Sequence, residues 1–276
     1  MSGVGAPAEG VGNDLIFDVG MNTGVDTAYY LHKGYRVVAI EAIPQLCRQA
    51  EEKFAAEIAA GRLVIENCGV AAAPGEAEFW VSDKNIEWSS FDKANAAKDD
   101  GSAHSIAVKC RPFSDLLDAH GVPIYLKIDI EGNDWLCLQA LGPERRPRYI
   151  SIEMSHTDGF RHIDMLAAIG YRRFKCIRQN DFRPMTPGNV GLYGAARRLA
   201  ATSCKLNQLY KKHKSRRVMD GDWTFAFGSS GPFGEATPGP WLTRAQLEAV
   251  WESLRKTDTV TTGKGVGEWF DFHAAV

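Results

Sequence analysis

The chain has 276 residues, 45% of them hydrophobic and 24% charged, an ordinary globular balance with room for one large domain. Its net charge of −2 gives no global reason to expect a nucleic-acid partner. No apolar run approaches the roughly 18 residues of a membrane span, so no transmembrane segment is expected. The opening "MSGVGAPAEGVGND" lacks a charged and then apolar signal pattern and reads as a disordered leader over residues 1–13, with one domain from 14 to 276.

Strand and helix signals alternate from there. "LIFDV" is a buried strand that ends near an acid and breaks into Gly20, Asn22 and Gly24; "GVDTAYYLHKG" is a helix stopped by Gly34. "RVVAIEA" is a second strand, and "PQLCRQAEEKFAAEIAAG" a long helix with Pro44 in its first turn and Gly61 as its cap. "RLVIENCGV" is a third strand. Such alternation argues for βαβ units and a parallel sheet, an α/β fold. "GEAEFWVS" alternates with period two after a turn signal, as a short antiparallel strand does, and residues 82–105 read as a long polar loop. "IAVKCRPFSDLLDAHG" gives a strand and a short helix, "IYLKIDI" a buried strand, "NDWLCLQAL" a helix and "RYISIEMS" a further strand. After another helix and strand over 160–178, residues 182–219 carry nine Lys or Arg and no Asp or Glu. This basic insertion, about 183–220, reads as one amphipathic helix with Leu199, Leu206 and Leu209. "WTFAFG" is taken as the last strand, and "LTRAQLEAVWESLRK" as a C-terminal helix followed by a tail.

The six cysteines, Cys47, Cys68, Cys110, Cys137, Cys176 and Cys204, form no CxxC pair. Several lie in apolar runs, so buried free thiols in a reducing, cytoplasmic setting are expected rather than disulfides or a zinc site.

Four predicted strands end on or next to acids: Asp18, Glu41, Asp129 with Glu131, and Glu153. Parallel strands share one C-terminal rim, where ligands bind in such sheets. Helix capping explains one or two of these acids but not the set. Glu41 at the end of the second strand suits the two hydroxyls of a ribose. The turn from Gly20 to Gly24 lacks the GxGxxG spacing that seats a diphosphate, and Asp18 would repel one. A ribose, a cation and no phosphates describe S-adenosylmethionine.

"FDVGMNTG", followed by "AIEAIP", "ENCGVA", "LKIDIEGND" and "SIEMS", resembles the FkbM-type family of S-adenosylmethionine-dependent methyltransferases over about residues 14–155, and "SGPFGE" and "WFDFHA" are similar to segments of its members. Met21 stands where that family more often has alanine, and the basic segment has no general counterpart there. The resemblance implies a class I methyltransferase fold, a Rossmann-like three-layer sandwich with a mostly parallel seven-stranded sheet whose last strand is antiparallel. It also implies O-methylation of a hydroxyl on a sugar, glycolipid or secondary metabolite.

Roles follow on that basis. Gly20, Asn22 and Gly24 cradle the cofactor, with Asp18 holding the turn or, through water, the ammonium. Glu41 takes the ribose, and Asn67 or Gly69 and Val70 flank the adenine. Asp129 sits where class I methyltransferases place catalytic or acceptor-side groups. Glu131 faces the acceptor or caps the helix, and Glu153 orients the acceptor. His156 is the preferred general base, with a plain surface histidine as the other reading, and His273 is a second candidate. Asp129, Glu131 and Glu153 are hard ligands that would suit a divalent metal, though the signature of a dedicated cage is missing. For the basic segment the readings are a solvated face, a lid in which Lys211 and Lys212 meet an anionic acceptor, or contact with an anionic membrane surface. RNA binding has only Tyr193 and Tyr210 to stack with. A nicotinamide-dependent oxidoreductase and a non-catalytic binding module are the competing functions; oligomeric state is left open.

Overall fold

The computed structural model describes residues 14–98, 101–154, 157–214, 218–226, 228–261, 263 and 268–276. It divides after Arg148 into two compact units.

The first unit opens with β1 (Leu15–Val19), α1 (Val25–His32), β2 (Arg36–Glu41), α2 (Pro44–Lys53), α3 (Ala55–Ala59) and β3 (Leu63–Asn67). It continues with β4 (Gly69–Val70), β5 (Gly75–Ser82), α4 (Lys93–Ala96), β6 (Ala103–Arg111), α5 (Phe113–His120), β7 (Tyr125–Ile128) and α6 (Asp134–Gln139). Its main sheet is parallel in the order β7-β1-β2-β3, with β1 between its successor in sequence and β7. That change of direction is where open α/β sheets leave a crevice at their C-terminal edge. All residues of β1 and β7 are buried, as expected for parallel strands covered on both faces.

A smaller sheet, β4-β6-β5, pairs β5 antiparallel with β6, as the alternation of "GEAEFWVS" predicts. Its apolar face, Phe79, Val81, Val108 and Cys110, packs with Ile43 and Leu46. Two elements are more broken than expected. The helix over 44–61 divides at Phe54, whose backbone leaves the helical region. The third strand divides at Cys68, so that β3 stays in the main sheet and β4 joins β6. The polar stretch after β5 is not structureless: it forms a 3₁₀ turn at Ile86–Trp88 and the helix α4.

The second unit holds β8 (Tyr149–Glu153), α7 (Gly159–Ile169), β9 (Arg173–Arg178), β10 (Pro184–Met185), α8 (Val190–Ala200), α9 (Cys204–Lys214), β11 (Met219–Asp220), β12 (Trp223–Thr224), α10 (Arg244–Thr261) and β13 (Phe270–Ala275). Its sheet runs β10-β9-β13-β8, and β13 is antiparallel to both neighbours. The last strand is therefore β13 rather than "WTFAFG", which contributes only the two residues of β12. Four strands fall in the main sheet of each unit, one more in all than the seven implied, the two-residue β10 being the shortest.

Side chains alternate across β13. Phe272 meets Trp251 of α10 edge to face at 5.8 Å. The opposite row places His273 level with Ser151 of β8 and Lys175 of β9. Lys175 donates to the carbonyl of Thr237 at 2.5 Å, so the Pro/Gly-rich loop covers that row. His273 is 1% exposed, and neither ring nitrogen has a hydrogen-bond partner among the described residues. Burial, helped by Lys175, holds its pKa down to about 3. Burial likewise pulls His162 of α7 down to about 4, against a weaker upward pull from Asp158.

Both imidazoles therefore stay neutral in the fold where the unfolded chain takes up protons, near pH 6.5. Their contribution to stability is complete above that pH and is lost as the pH falls towards the folded values. Between about pH 8 and about pH 5 each should cost about 2 kcal/mol. Urea midpoints across that range test this: His273→Leu should flatten the slope, and a wild-type midpoint independent of pH would refute it.

Among the described residues all six cysteines are free and only Cys204 is exposed, and no helix is long and apolar enough to cross a membrane.

Candidate functional site

The site grows from one interaction the sequence reading missed. Lys127 lies in the middle of β7, 5% exposed at its side chain, in register with Asp18 of β1. Its ammonium donates to Asp18 Oδ1 and to the carbonyl of Gly20, both at 3.1 Å, and lies 3.6 Å from Asp26 and 3.8 Å from Asp129. Burial alone would lower its pKa, but Asp18, Asp129 and Asp26 hold it well above the usual lysine value.

Asp18 has no exposed surface, and its second oxygen accepts from Thr27 Oγ1 at 2.6 Å. The cation beside it is Lys127, which also holds the carbonyl of Gly20. The signal was present in the sequence: a lone lysine inside an apolar strand must find an acid, and Asp18 lies on the neighbouring strand.

The glycine turn is set by the protein around it. Gly20, at φ +85°, brings its Cα so close to the end of β7 that a Cβ would lie 1.8 Å from the carbonyl oxygen of Asp129. Gly24, at φ +71°, packs under the ring of Phe54. These glycines were expected to admit a ligand; the contacts that require them are with Asp129 and Phe54. The amides of Gly20 and Met21 donate to the carbonyl of Ile40, tying the turn to β2.

Glu41 completes the tie. Its carboxylate accepts from the amide of Asn22 at 2.8 Å and from the amide of Ile43 at 2.9 Å. Burial raises its pKa, while those amides and Lys127 oppose the rise. Asn22 takes a left-handed conformation, φ +51°, and its side-chain oxygen is buried without a hydrogen-bond partner among the described residues. Asn67 donates to the carbonyl of Glu41 at 2.9 Å and so fixes the backbone at the end of β2. Gly69 is buried beneath Phe91, and Val70 accepts from Asn133 Nδ2 at 3.1 Å. Within the first unit Lys127 joins Asp18, Gly20 and Asp129, Glu41 joins Asn22 and Asn67, and Ile40 ties the two groups.

Glu131 does not lie on a strand. The strand that was expected to end on Asp129 and Glu131 stops at Ile128, and Glu131 takes φ +49° in the turn beyond it. Asp134 fixes the turn, accepting from the amides of Ile130 and Gly132. Ser90 donates to the Glu131 carbonyl at 2.6 Å, so the segment after β5 folds onto this turn. The Glu131 carboxylate lies 3.5 Å from Lys98, itself 5.0 Å above the Trp88 ring. Burial pushes Glu131 up to about 7, with Lys98 pulling down and Asp129 and Asp134 adding to the rise. Asp129 faces Lys127 instead and keeps 27% of its side chain exposed.

The remaining site expectations fall in the second unit or outside the described residues. Glu153 ends β8, opposite Asp271 in register. His156 lies outside the described residues. Lys211 and Lys212 lie on α9, with side chains outside the description. The expected single amphipathic helix is two, α8 and α9, separated where Thr202 turns back to the carbonyl of Leu199. Tyr193 and Tyr210 are turned inward, hydroxyl to hydroxyl, and Tyr210 also bonds Glu268. Among the described residues no three His, Cys, Asp or Glu side chains are grouped to hold a metal ion.

A parallel sheet with a glycine turn after β1, an acid closing β2 and an antiparallel last strand define a class I methyltransferase fold. Residues 18–176, more than half of the chain, match the model of the methyltransferase FkbM domain, and the chain belongs to that family. No curated protein matches the chain. Among solved structures it is similar to precorrin-6y C5,15-methyltransferase from Geobacter metallireducens, at 12% identity over 60% of this chain and 69% of that one, with a TM-score of 0.34. A structure assigned as a sarcosine dimethylglycine methyltransferase from Galdieria sulphuraria shares 10% identity over 94% of this chain and 76% of that one, with a TM-score of 0.37. Likenesses this distant carry no argument; the family rests on the matched sequence.

Proposed function

We propose that this methyltransferase uses S-adenosylmethionine to methylate a hydroxyl of a small molecule or glycan, such as a sugar, glycolipid or secondary metabolite. The observation that carries the cofactor reading is Asn22 Oδ1, a buried acceptor with no partner among the described residues, in a residue whose own amide donates to the Glu41 carboxylate. Buried acceptors are costly when left unmade, and the donors of this cofactor, an ammonium and two ribose hydroxyls, are what such an oxygen and carboxylate take. Glu41 would hold the ribose, Asn22 with the Gly20–Gly24 turn the amino-acid end, and Asn67, Gly69 and Val70 the adenine. When bound, S-adenosylmethionine supplies an electrophilic methyl group and leaves as a neutral thioether.

What the chain supplies is placement and a base. An alcohol is a weak nucleophile near neutral pH, so a side chain must accept its proton as the new bond forms. Glu131, with a carboxyl held near 7, is poised for that exchange at neutral pH, and Asp129, 3.8 Å from the Lys127 ammonium, would orient the acceptor. The segment from Ser90 to Lys98 shields the base from water and supplies the positive charge that limits its rise.

Calorimetry with S-adenosylmethionine and, separately, a nicotinamide dinucleotide tests the cofactor; binding of the dinucleotide alone would overturn it. Glu41→Ala should weaken S-adenosylmethionine binding by about 10- to 100-fold, the range of hydrogen bonds to a charged group. Binding unchanged in that variant would remove Glu41 from the site. Methyl transfer from labelled cofactor to a panel of hydroxylated acceptors then tests the chemistry; labelling of amines alone would overturn O-methylation.

A further inference from the structure

Helix α8 is built inside out. Its buried side is Val190, Gly194, Arg197 and Ala200. Arg197 is 1% exposed and its guanidinium meets Asp258 of α10 at 2.5 Å, and Gly194 packs against Thr257. The opposite side carries Leu192, Ala195, Ala196 and Leu199, spaced i, i+3, i+4 and i+7 along one stripe, and all four are exposed. Leu192 is 79% exposed and Leu199 58%; Leu209 of α9 follows at 55%. Every exposed leucine among the described residues lies on these two helices. The charge here is equally one-sided. Residues 182–219 carry nine Lys or Arg and no acid. Arg183 pairs with Asp181 and Arg197 with Asp258, and the other seven follow with no acid before Asp220.

We infer that α8 and α9 form a docking surface for an anionic lipid bilayer, the leucine stripe seated at the acyl boundary and the exposed Arg198 and Lys205, within a sequence run rich in Lys and Arg, among the headgroup phosphates. Apolar side chains beside a basic run that holds no acid in its sequence are what an interfacial helix needs. A second copy of the chain fits less well, because a two-fold contact through this face would set like charges against each other. Single-stranded nucleic acid needs exposed aromatic platforms, and Tyr193 and Tyr210 are tied to each other, with Tyr210 also on Glu268. The inference does not depend on which acceptor the site methylates.

Co-sedimentation of the full chain with phosphatidylcholine vesicles, with and without phosphatidylserine, tests it. Binding is expected only with phosphatidylserine and should weaken as salt is raised. Each basic residue near an anionic surface is worth about five-fold in partition, so Lys205→Glu should reduce binding by about thirty-fold. Leu192→Ser with Leu199→Ser should reduce it by about ten-fold or more. Because these side chains are exposed, both variants should keep the wild-type thermal midpoint. The inference is overturned by no vesicle binding, by equal binding without phosphatidylserine, or by variants that bind as the wild type does. It is also overturned if, without vesicle binding, the leucine variant dissolves a dimer seen by sedimentation velocity, or the chain retains a labelled single-stranded RNA.

Discussion

Glu131→Gln is expected to lower kcat/KM for methyl transfer by about 10²- to 10⁴-fold, the range for loss of a general base, with S-adenosylmethionine affinity unchanged. Glutamine keeps the volume and suits the backbone as well as glutamate does, so the φ of +49° and the bond from Ser90 to the carbonyl are retained. What is lost is a carboxylate whose pKa, about 7, is set mainly by burial. The pH dependence gives the sharper signature. A base works only when deprotonated, so the wild-type kcat/KM should fall about ten-fold per pH unit below about 7, and the glutamine variant should lose that limb. Lys98 lies 3.5 Å from the carboxylate and lowers its pKa. Lys98→Met should therefore move the limb to higher pH, leaving the variant weak at neutral pH and recovering in alkali. An acid limb that stays in Glu131→Gln would belong to another group and end this assignment.

How much of this could be read beforehand follows the kind of signal each feature leaves. An acid interrupting an apolar run is conspicuous, so Asp18, Glu41 and Asp129 were marked from the sequence, and the three parallel strands that carry or precede them were legible from the βα alternation. Their partners were less so. Lys127 sits in the same run as Asp129, but its meaning depends on which strand lies beside β7, and nothing local states that. Glu131 was assigned by strand geometry, whereas its turn is set by Asp134 and by Ser90, 41 residues away in sequence. β13 was read as part of a tail because Asp271 and His273 interrupt its apolar residues, yet all six residues are buried. Helix α8 misleads in the opposite way: its leucines carry the periodicity of a core face, and its buried side is decided instead by Arg197 and the acid it finds on α10.

Lys127→Met should destabilise the fold by about 3–5 kcal/mol, as expected when one partner of a buried charge cluster is removed, and lower the thermal midpoint by about 10 °C. The methionine fills the space of the lysine stem, so little of the loss comes from packing. It comes from Asp18 and Asp26, 0% and 2% exposed, left without the ammonium that neutralises them. The carbonyl of Gly20 loses its donor as well, so S-adenosylmethionine binding should weaken along with stability. Adding Asp18→Asn to Lys127→Met separates charge from shape. The amide still accepts from Thr27 but carries no charge, so the double variant should regain a large part of the lost stability, whereas Asp18→Asn alone is destabilising because it leaves Lys127 under-compensated. If the two substitutions are simply additive in urea denaturation, the ion cluster is not what holds β1 to β7, and the glycine turn owes its shape to the Gly20–Asp129 contact and to its bonds with Ile40 and Glu41.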